Sequence, residues 1–279
     1  MTTGTAEIRD AVDAHQLWYH TLELGDGVVT PGWFDLRPIV DKMPWPDVAG
    51  KRCLDIGTWD GFLAFELERR GASEVIATDI SDPAGWDWAL RLRALGPEVM
   101  GQMAGEKTGK GFEIAKRALD SAVERMEINI YDLSPDRVGT FDVVVCGSLL
   151  LHLRDPVRAL EAIHSVCGGH FLSAEQVNPL LSAVHRKRPV ALFSAGERGR
   201  WWVPNAAGHR RLLQAGGFAI ERRTGLYAIP FGASHPSLGE RPGPRGLLNR
   251  VIARGSGVPH AAVLATPELL GADGATPSS

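Results

Sequence analysis

Residues 53–80, CLDIGTWDGFLAFELERRGASEVIATDI, constrain the fold more than any other stretch of the chain. Cys53–Ile56 is a short apolar run, residues 62–70 have the spacing of a helix, and residues 74–78 form a second apolar run. The turn between the first run and the helix carries glycines at 57 and 61. Glycine adopts backbone conformations closed to other residues and lets a ligand approach the main chain. A strand, a glycine turn, a helix and a strand in this order make a parallel crossover unit, which is right-handed almost without exception. Helix amides behind such a turn carry partial positive charge. Asp79 closes the second run, where an acid can accept hydrogen bonds from ribose hydroxyls.

The rest of the chain repeats the pattern. A strand is expected around 127–130, and FDVVVC at 141–146 is apolar throughout, as in a strand buried on both faces. Asp155-Pro156 supplies a cap and first-turn pair for a helix to Val166. Further strands are expected at 171–174, 219–221 and 261–265, and a helix over 205–215 ends at Gly216-Gly217. A weak amphipathic helix is expected over 6–18. The 81–126 excursion carries a helix whose apolar face holds Ile114, Ala118, Leu119 and Val123. The Pro- and Gly-rich residues 230–258 read as a long loop. Alternating strands and helices predict a doubly wound α/β fold with a parallel sheet. The expected division is an N-terminal lid over 1–46, a main domain over 47–268 and a disordered tail over 269–279.

A nicotinamide or flavin dinucleotide domain is excluded by the turn itself. Its G-x-G-x-x-G fingerprint needs glycines where this chain has Trp59 and Phe62. Asp55 and Asp60 flank the turn and repel phosphate, whereas they suit an ammonium group. The net charge of −3 does not suggest a nucleic-acid binder. Three scattered cysteines without CxxC spacing, no signal-peptide pattern and no apolar run of membrane length lead to an expectation of a cytoplasmic protein without membrane contact. Nothing in the sequence fixes an oligomeric state.

The ordered motifs resemble class I S-adenosylmethionine (SAM)-dependent methyltransferases. That resemblance implies a sheet of order 3-2-1-4-5-7-6 with an antiparallel seventh strand, and S-adenosylhomocysteine as product. More narrowly, WYHTLELGDGVVTPGWFDLR, the glycine turn, FDVVVCGSLLLHLRDP and WWVPNAAGHRRLLQAGGF resemble the tRNA wobble-uridine methyltransferases over about residues 17–265. The resemblance implies cofactor contacts at Trp33 and Arg37, at Gly57 in the turn, at Asp79, Ile80 and Ser81 by the ribose, at Tyr131 and Asp132 by adenine, and at Gly147 after the fourth strand. By their own placement, Asp55, Thr58, Asp60 and Gly61 around the turn and Ser148 over the sulfonium are further candidate contacts. Members that transfer a carboxymethyl group hold its carboxylate with a tyrosine and an arginine; here those places fall at Leu151 and Ala261. A leucine cannot bind a carboxylate, so ordinary SAM is the expected cofactor.

Methyl transfer needs a nucleophile in line with the sulfonium and a base for its proton. His152, four residues after Ser148, is the candidate base; its alternative is a role in capping the helix at Asp155. Tyr19, His20, Trp201, Trp202 and His209 are candidate substrate-binding residues. The tryptophan pair is an aromatic wall or packing for a cap, and Trp18-Tyr19-His20 is a candidate lid. The run His185–Arg188 reads as a phosphate contact or a solvated face. Glu175 closes the fifth strand while Asp142 starts its own, so no metal site is assigned. Three functions follow: a small-molecule O-methyltransferase, a tRNA wobble-uridine methyltransferase using Arg186–Arg188, Arg198–Arg200 and Arg210-Arg211, or a SAM-binding module without activity.

Overall fold

The computed structural model describes residues 4–96, 98, 108–196, 199–240 and 243–268; the expected tail from 269 lies outside them. Its strands are β1 (Arg52–Ile56), β2 (Glu74–Asp79), β3 (Glu124–Glu127), β4 (Phe141–Gly147), β5 (Cys167–Gln176), β6 (Ala191–Phe193), β7 (Trp202–Pro204), β8 (Phe218–Arg223), β9 (Tyr227–Ile229) and β10 (Val258–Pro267). The helices used below are α1 (Thr5–Ala14), α2 (Phe62–Arg69), α3 (Leu90–Arg93), α4 (Lys110–Ala118), α5 (Pro135–Val138), α6 (Pro156–Val166), α7 (Pro179–Val184), α8 (Ala206–Ala215) and α9 (Pro244–Ile252).

One sheet runs β3-β2-β1-β4-β5-β10-β8, with β9 paired to β10. Strands β1 to β5 are parallel in their pairings, and β10 is antiparallel to β5, β8 and β9. With the short β6, β7 and β9 set aside, this is the expected 3-2-1-4-5-7-6 order.

The apolar run in β4 is explained by burial on both faces. Val143 and Val145 join the core with Leu63 and Leu67 of α2, while Val144 and Cys146 face Leu160 and Ile163 of α6. Asp155 caps α6 as expected, its side chain accepting from Arg158 N. The N-terminal residues are part of this core: Val12, Trp18, Leu22 and Val28 are buried with α2.

Several elements differ from expectation. Strand β3 ends at Glu127, because Ile128 and Ile130 bury their side chains from the turn that follows, capped by Asn129. Helix α4 stops at Ala118; Leu119 lies past its end and is partly exposed, and Val123 reaches the core from coil. Residues 244–252 form α9 inside the expected loop, beginning with a proline at the first turn. The irregular stretch before Trp202 contains an antiparallel hairpin, β6–β7.

Candidate functional site

The turn after β1 curls onto the end of β2. Gly57 has φ +75°, and its N–H and that of Thr58 both donate to the Thr78 carbonyl, at 2.8 and 3.2 Å. Gly61, at φ +91°, closes the turn by donating to Thr58 O, and a Cβ there would meet the Phe112 ring at 2.8 Å. Trp59 is held at φ +48°, a costly conformation for a bulky residue. Its N–H donates to Asp79 Oδ2 at 2.7 Å, while Asp79 Oδ1 accepts from Ile80 N at 2.7 Å. Burial raises the Asp79 pKa. Asp55, at the end of β1, is buried with Oδ2 unpartnered, as is the Thr58 hydroxyl. Burial pushes the Asp55 pKa up to about 7, with the neighbouring Asp79 charge adding to it. Buried polar atoms left without partners are costly, so this corner is built for donors that a ligand brings.

Asp60 has a different occupation. Its Oδ2 accepts from Tyr19 N at 2.5 Å and His20 N at 2.9 Å, tying the N-terminal segment across the turn. The Tyr19 ring then lies 5.0 Å from Trp59 and from Phe34. Burial, with Asp60 and Glu175 close by, pushes the Tyr19 pKa up to about 12. His20 is neutral, its pKa brought down to about 3 by burial, and its Nδ1 has no hydrogen-bond partner.

The loop after β4 completes the site. Ser148, at φ +53°, anchors its N–H on Ala174 O at 2.8 Å. Its Oγ lies 2.8 Å from Nε2 of His260 in β10, and His260 Nδ1 lies 2.9 Å from Val258 O. The carbonyl can only accept, so Nδ1 carries the proton and Ser148 donates to Nε2. Burial holds His260 neutral, with its pKa down to about 4. Glu175 Oε1 accepts from Leu149 N and Leu150 N at 3.1 and 3.2 Å, fixing the loop, while Oε2 is buried and unpartnered. Burial pushes its pKa up to about 8. Tyr227 of β9 stacks on His260 at 6.1 Å with its hydroxyl unpartnered.

Strand ends, glycine turn and acidic closure of β2 occur together over residues 35–222, which match the methyltransferase-domain family. The chain belongs to that family. It is a SAM-dependent methyltransferase of class I fold. A ubiquinone biosynthesis O-methyltransferase of Acinetobacter baumannii is 24% identical over 219 residues, covering 71% of this chain and 81% of that protein. One from Pseudomonas aeruginosa is 28% identical over 152 residues, covering 52% and 54%. Among solved structures, the N-terminal domain of EvdMO1 with S-adenosylhomocysteine bound superimposes with a TM-score of 0.55 at 14% identity, over 96% of this chain and 98% of that one. The donor set fits SAM: the unpartnered Asp55 oxygen, the Thr58 hydroxyl and the Asp79 carboxylate all lie around the Gly57 turn.

Several expected contacts of this methyltransferase are engaged elsewhere. Arg37 is exposed and bound to Asp35 (Nη2–Oδ2 2.8 Å) and Glu23 (3.0 Å). Trp33 packs between Tyr19 and His235. Tyr131 donates to Asp87 Oδ2 at 2.5 Å and accepts from Asp155 N, and Asp132 is exposed beside Arg137 at 3.6 Å. Ser81 Oγ accepts from Arg125 Nη2 at 3.1 Å, and Gly147 lies under Leu63, whose Cδ1 would have to shift to admit a Cβ. His209 is wholly buried on α8, its Nε2 2.9 Å from Ser173 Oγ and its Nδ1 without a hydrogen-bond partner. Trp201 and Trp202 hold the hairpin down, donating to Asp87 O at 2.6 Å and Arg154 O at 3.2 Å. His152 does not cap α6; its Nδ1 lies 2.7 Å from Gly199 O, which leaves Nε2 unprotonated, and burial lowers its pKa. Ala261 pairs directly with Glu175 across β5 and β10, so an acid stands where a carboxylate-binding arginine is absent. No three His, Cys, Asp or Glu side chains among the described residues gather as metal ligands do. Sequence reasoning missed His260 and Tyr227, which carry no motif and reach the site only through the pairing of β9 with β10.

Proposed function

We propose that this methyltransferase O-methylates a small acceptor whose reacting, hydroxyl-bearing end is neutral and is held between the loop after β4 and the Tyr19–His20 segment. The observation that carries this reading is the set of buried, unpartnered polar atoms there: His20 Nδ1, Glu175 Oε2 and the Tyr227 hydroxyl. They can hydrogen-bond a small molecule that enters the site, and with His20 and His260 neutral they offer no cation for an anionic one. The names of the ubiquinone-pathway relatives point the same way. Asp79 would accept from the ribose hydroxyls and Asp55 from the methionine ammonium; at the adenine end Tyr131 and Asp132 would have to leave their present partners, Asp87 and Arg137, to meet the cofactor. SAM supplies an electrophilic methyl group on a sulfonium.

Around it, the chain positions the acceptor oxygen and removes its proton. His152 presents a free Nε2 for that proton. His152→Ala should then lower turnover about 100-fold at unchanged SAM affinity; full turnover would leave the residue only its contact with Gly199. Incubation with methyl-labelled SAM and fractionated extract should place label in a low-mass product, and label found only in tRNA would overturn the reading. The tRNA wobble-uridine alternative draws on Arg186–Arg188, Arg198–Arg200 and Arg210-Arg211; Arg198 lies outside the described residues, Lys187, Arg210 and Arg211 share one flank near β8, and the reading predicts tRNA affinity that falls steeply with salt.

A further inference from the structure

A cavity of about 370 Å³ opens between α8 and β8, lined among others by Lys187, Arg210, Arg211, Glu221 and Arg223. Four cations and one acid meet there, and the acid is engaged: Glu221 Oε2 lies 3.5 Å from His170 Nε2. The cations come from three separate elements, and the fold brings each one in by an identifiable device.

Strand β8 is irregular at Glu221. Val263 pairs with Arg223 and Leu264 with Arg222, but Ala265 pairs with Ile220, which leaves Glu221 unmatched. Such a bulge shifts the side-chain phase of a strand. Arg222 consequently turns to the α2 side, donating to Trp45 O at 2.8 Å, while Arg223 shares the α8 side with Ile220. The backbone on either side of Lys187 is fixed by Asn205, which is fully buried. Its Nδ2 donates to His185 O and Arg188 O at 2.8 and 3.0 Å, and its Oδ1 caps α8 through Gly208 N. Arg210, partly buried one turn further along α8, donates to Ala206 O at 2.8 Å. Burial, and then the like charge of Arg223, lower its pKa. The protein therefore holds guanidinium groups together at a cost that an anion would relieve.

The position is informative too. Strands β5 and β8 both run antiparallel to β10, and Ser173 and Arg223 flank the same residue, Val263. At an inter-strand spacing of roughly 4.8 Å, Arg223 stands about 10 Å across the sheet from Ser173. Glu175, at the acceptor end, is two residues beyond Ser173 on the same strand.

We propose that this cavity is an anion subsite that takes a phosphate group of a ligand lying beside the methyl-transfer site. Guanidinium forks match phosphate oxygens in pairs, and the cavity is of ligand size, so it has room for more than a free ion. The phosphate belongs to a phosphorylated small molecule or to an RNA backbone. The site stands independently of which acceptor is methylated.

Titration of the full-length protein with pyrophosphate, at low ionic strength and with S-adenosylhomocysteine present, tests the assignment. Saturable binding is expected. The exposed-site variants Arg223→Ala and Lys187→Ala should each weaken it roughly tenfold while SAM affinity stays unchanged. Absence of saturable binding, or equal affinity in an Arg211→Ala/Arg223→Ala double variant, would overturn it. Competition identifies the source. Unmodified tRNA that displaces pyrophosphate and loses affinity in the same variants assigns the phosphate to RNA, and tRNA that fails to compete assigns it to a small ligand.

Discussion

The two ends of this active edge are built in opposite ways. The cofactor end is contiguous: residues 55–61 and 79–81 belong to one crossover, and main-chain bonds from Gly57, Thr58 and Trp59 to β2 set its shape. The proposed acceptor end is composite, assembled from the Tyr19–His20 segment, Ser148, Glu175, Tyr227 and His260. A contiguous site is specified by local conformation, so it survives as a motif. A composite site is specified by strand pairing and lid docking, so its residues look unrelated along the chain. The two ends should accordingly fail separately when mutated, one through affinity and the other through turnover.

The largest effect is expected at the cofactor end. Asp79→Ala removes the acceptor for both Trp59 N and Ile80 N as well as the proposed ribose contact. SAM affinity should fall by about 3 kcal/mol, roughly 100-fold, by calorimetry. A loss of less than threefold would break the contrast at its stronger half. At the acceptor end, Glu175→Ala leaves the buried N–H groups of Leu149 and Leu150 without a partner and frees the loop. Turnover should drop roughly 10- to 100-fold while SAM affinity stays within about twofold, and Glu175→Gln, which keeps the accepting oxygen, should restore most of it. Equal damage to SAM affinity would show that the loop serves both ends.

A third test uses pH to sharpen the cofactor half. With its pKa pushed up to about 7, Asp55 is protonated below neutrality. A ligand ammonium favours the carboxylate, so binding must expel the proton. SAM affinity should therefore rise between about pH 6 and 8, with proton release seen as a buffer-dependent enthalpy. Asp55→Asn should flatten the dependence. A profile that stays steep in that variant would move the titration to Asp60, whose pKa burial also pushes up to about 7 but whose Oδ2 is committed to Tyr19 N and His20 N.

The same contrast governs what the chain reveals before folding. The glycine turn, the apolar β4 and the Asp155-Pro156 start of α6 are local signals, and each was legible; the sheet order came from the family resemblance. The β6–β7 hairpin was not, because its Ala191–Phe193 strand is exposed and too short for periodicity to register. Helix α9 hid within a stretch whose prolines and glycines read as loop. Apolar Ile128 and Ile130 drew the expected third strand past its end, since burial in a capped turn leaves the same trace in sequence as burial in a strand. A histidine on a helix, such as His209, is a candidate to line a cleft, and sequence alone could not tell that the ring is wholly buried against Ser173.

The smallest expected effect is also a sharp one, because family resemblance and local geometry disagree at Arg37. Resemblance makes it a cofactor contact. In the fold its guanidinium is exposed and forms a fork with Asp35 while reaching Glu23. Exposed pairs of this kind contribute about 0–1 kcal/mol. Arg37→Ala should therefore change SAM affinity by less than about twofold and stability by under about 1 kcal/mol, by calorimetry and chemical denaturation. A tenfold loss of SAM affinity would mean that Arg37 leaves Asp35 when SAM binds, and that the cofactor end recruits a residue from outside its own crossover. The N-terminal segment would then belong to both ends of the site, and the division between a contiguous half and a composite half would fail at the point where the lid crosses the turn.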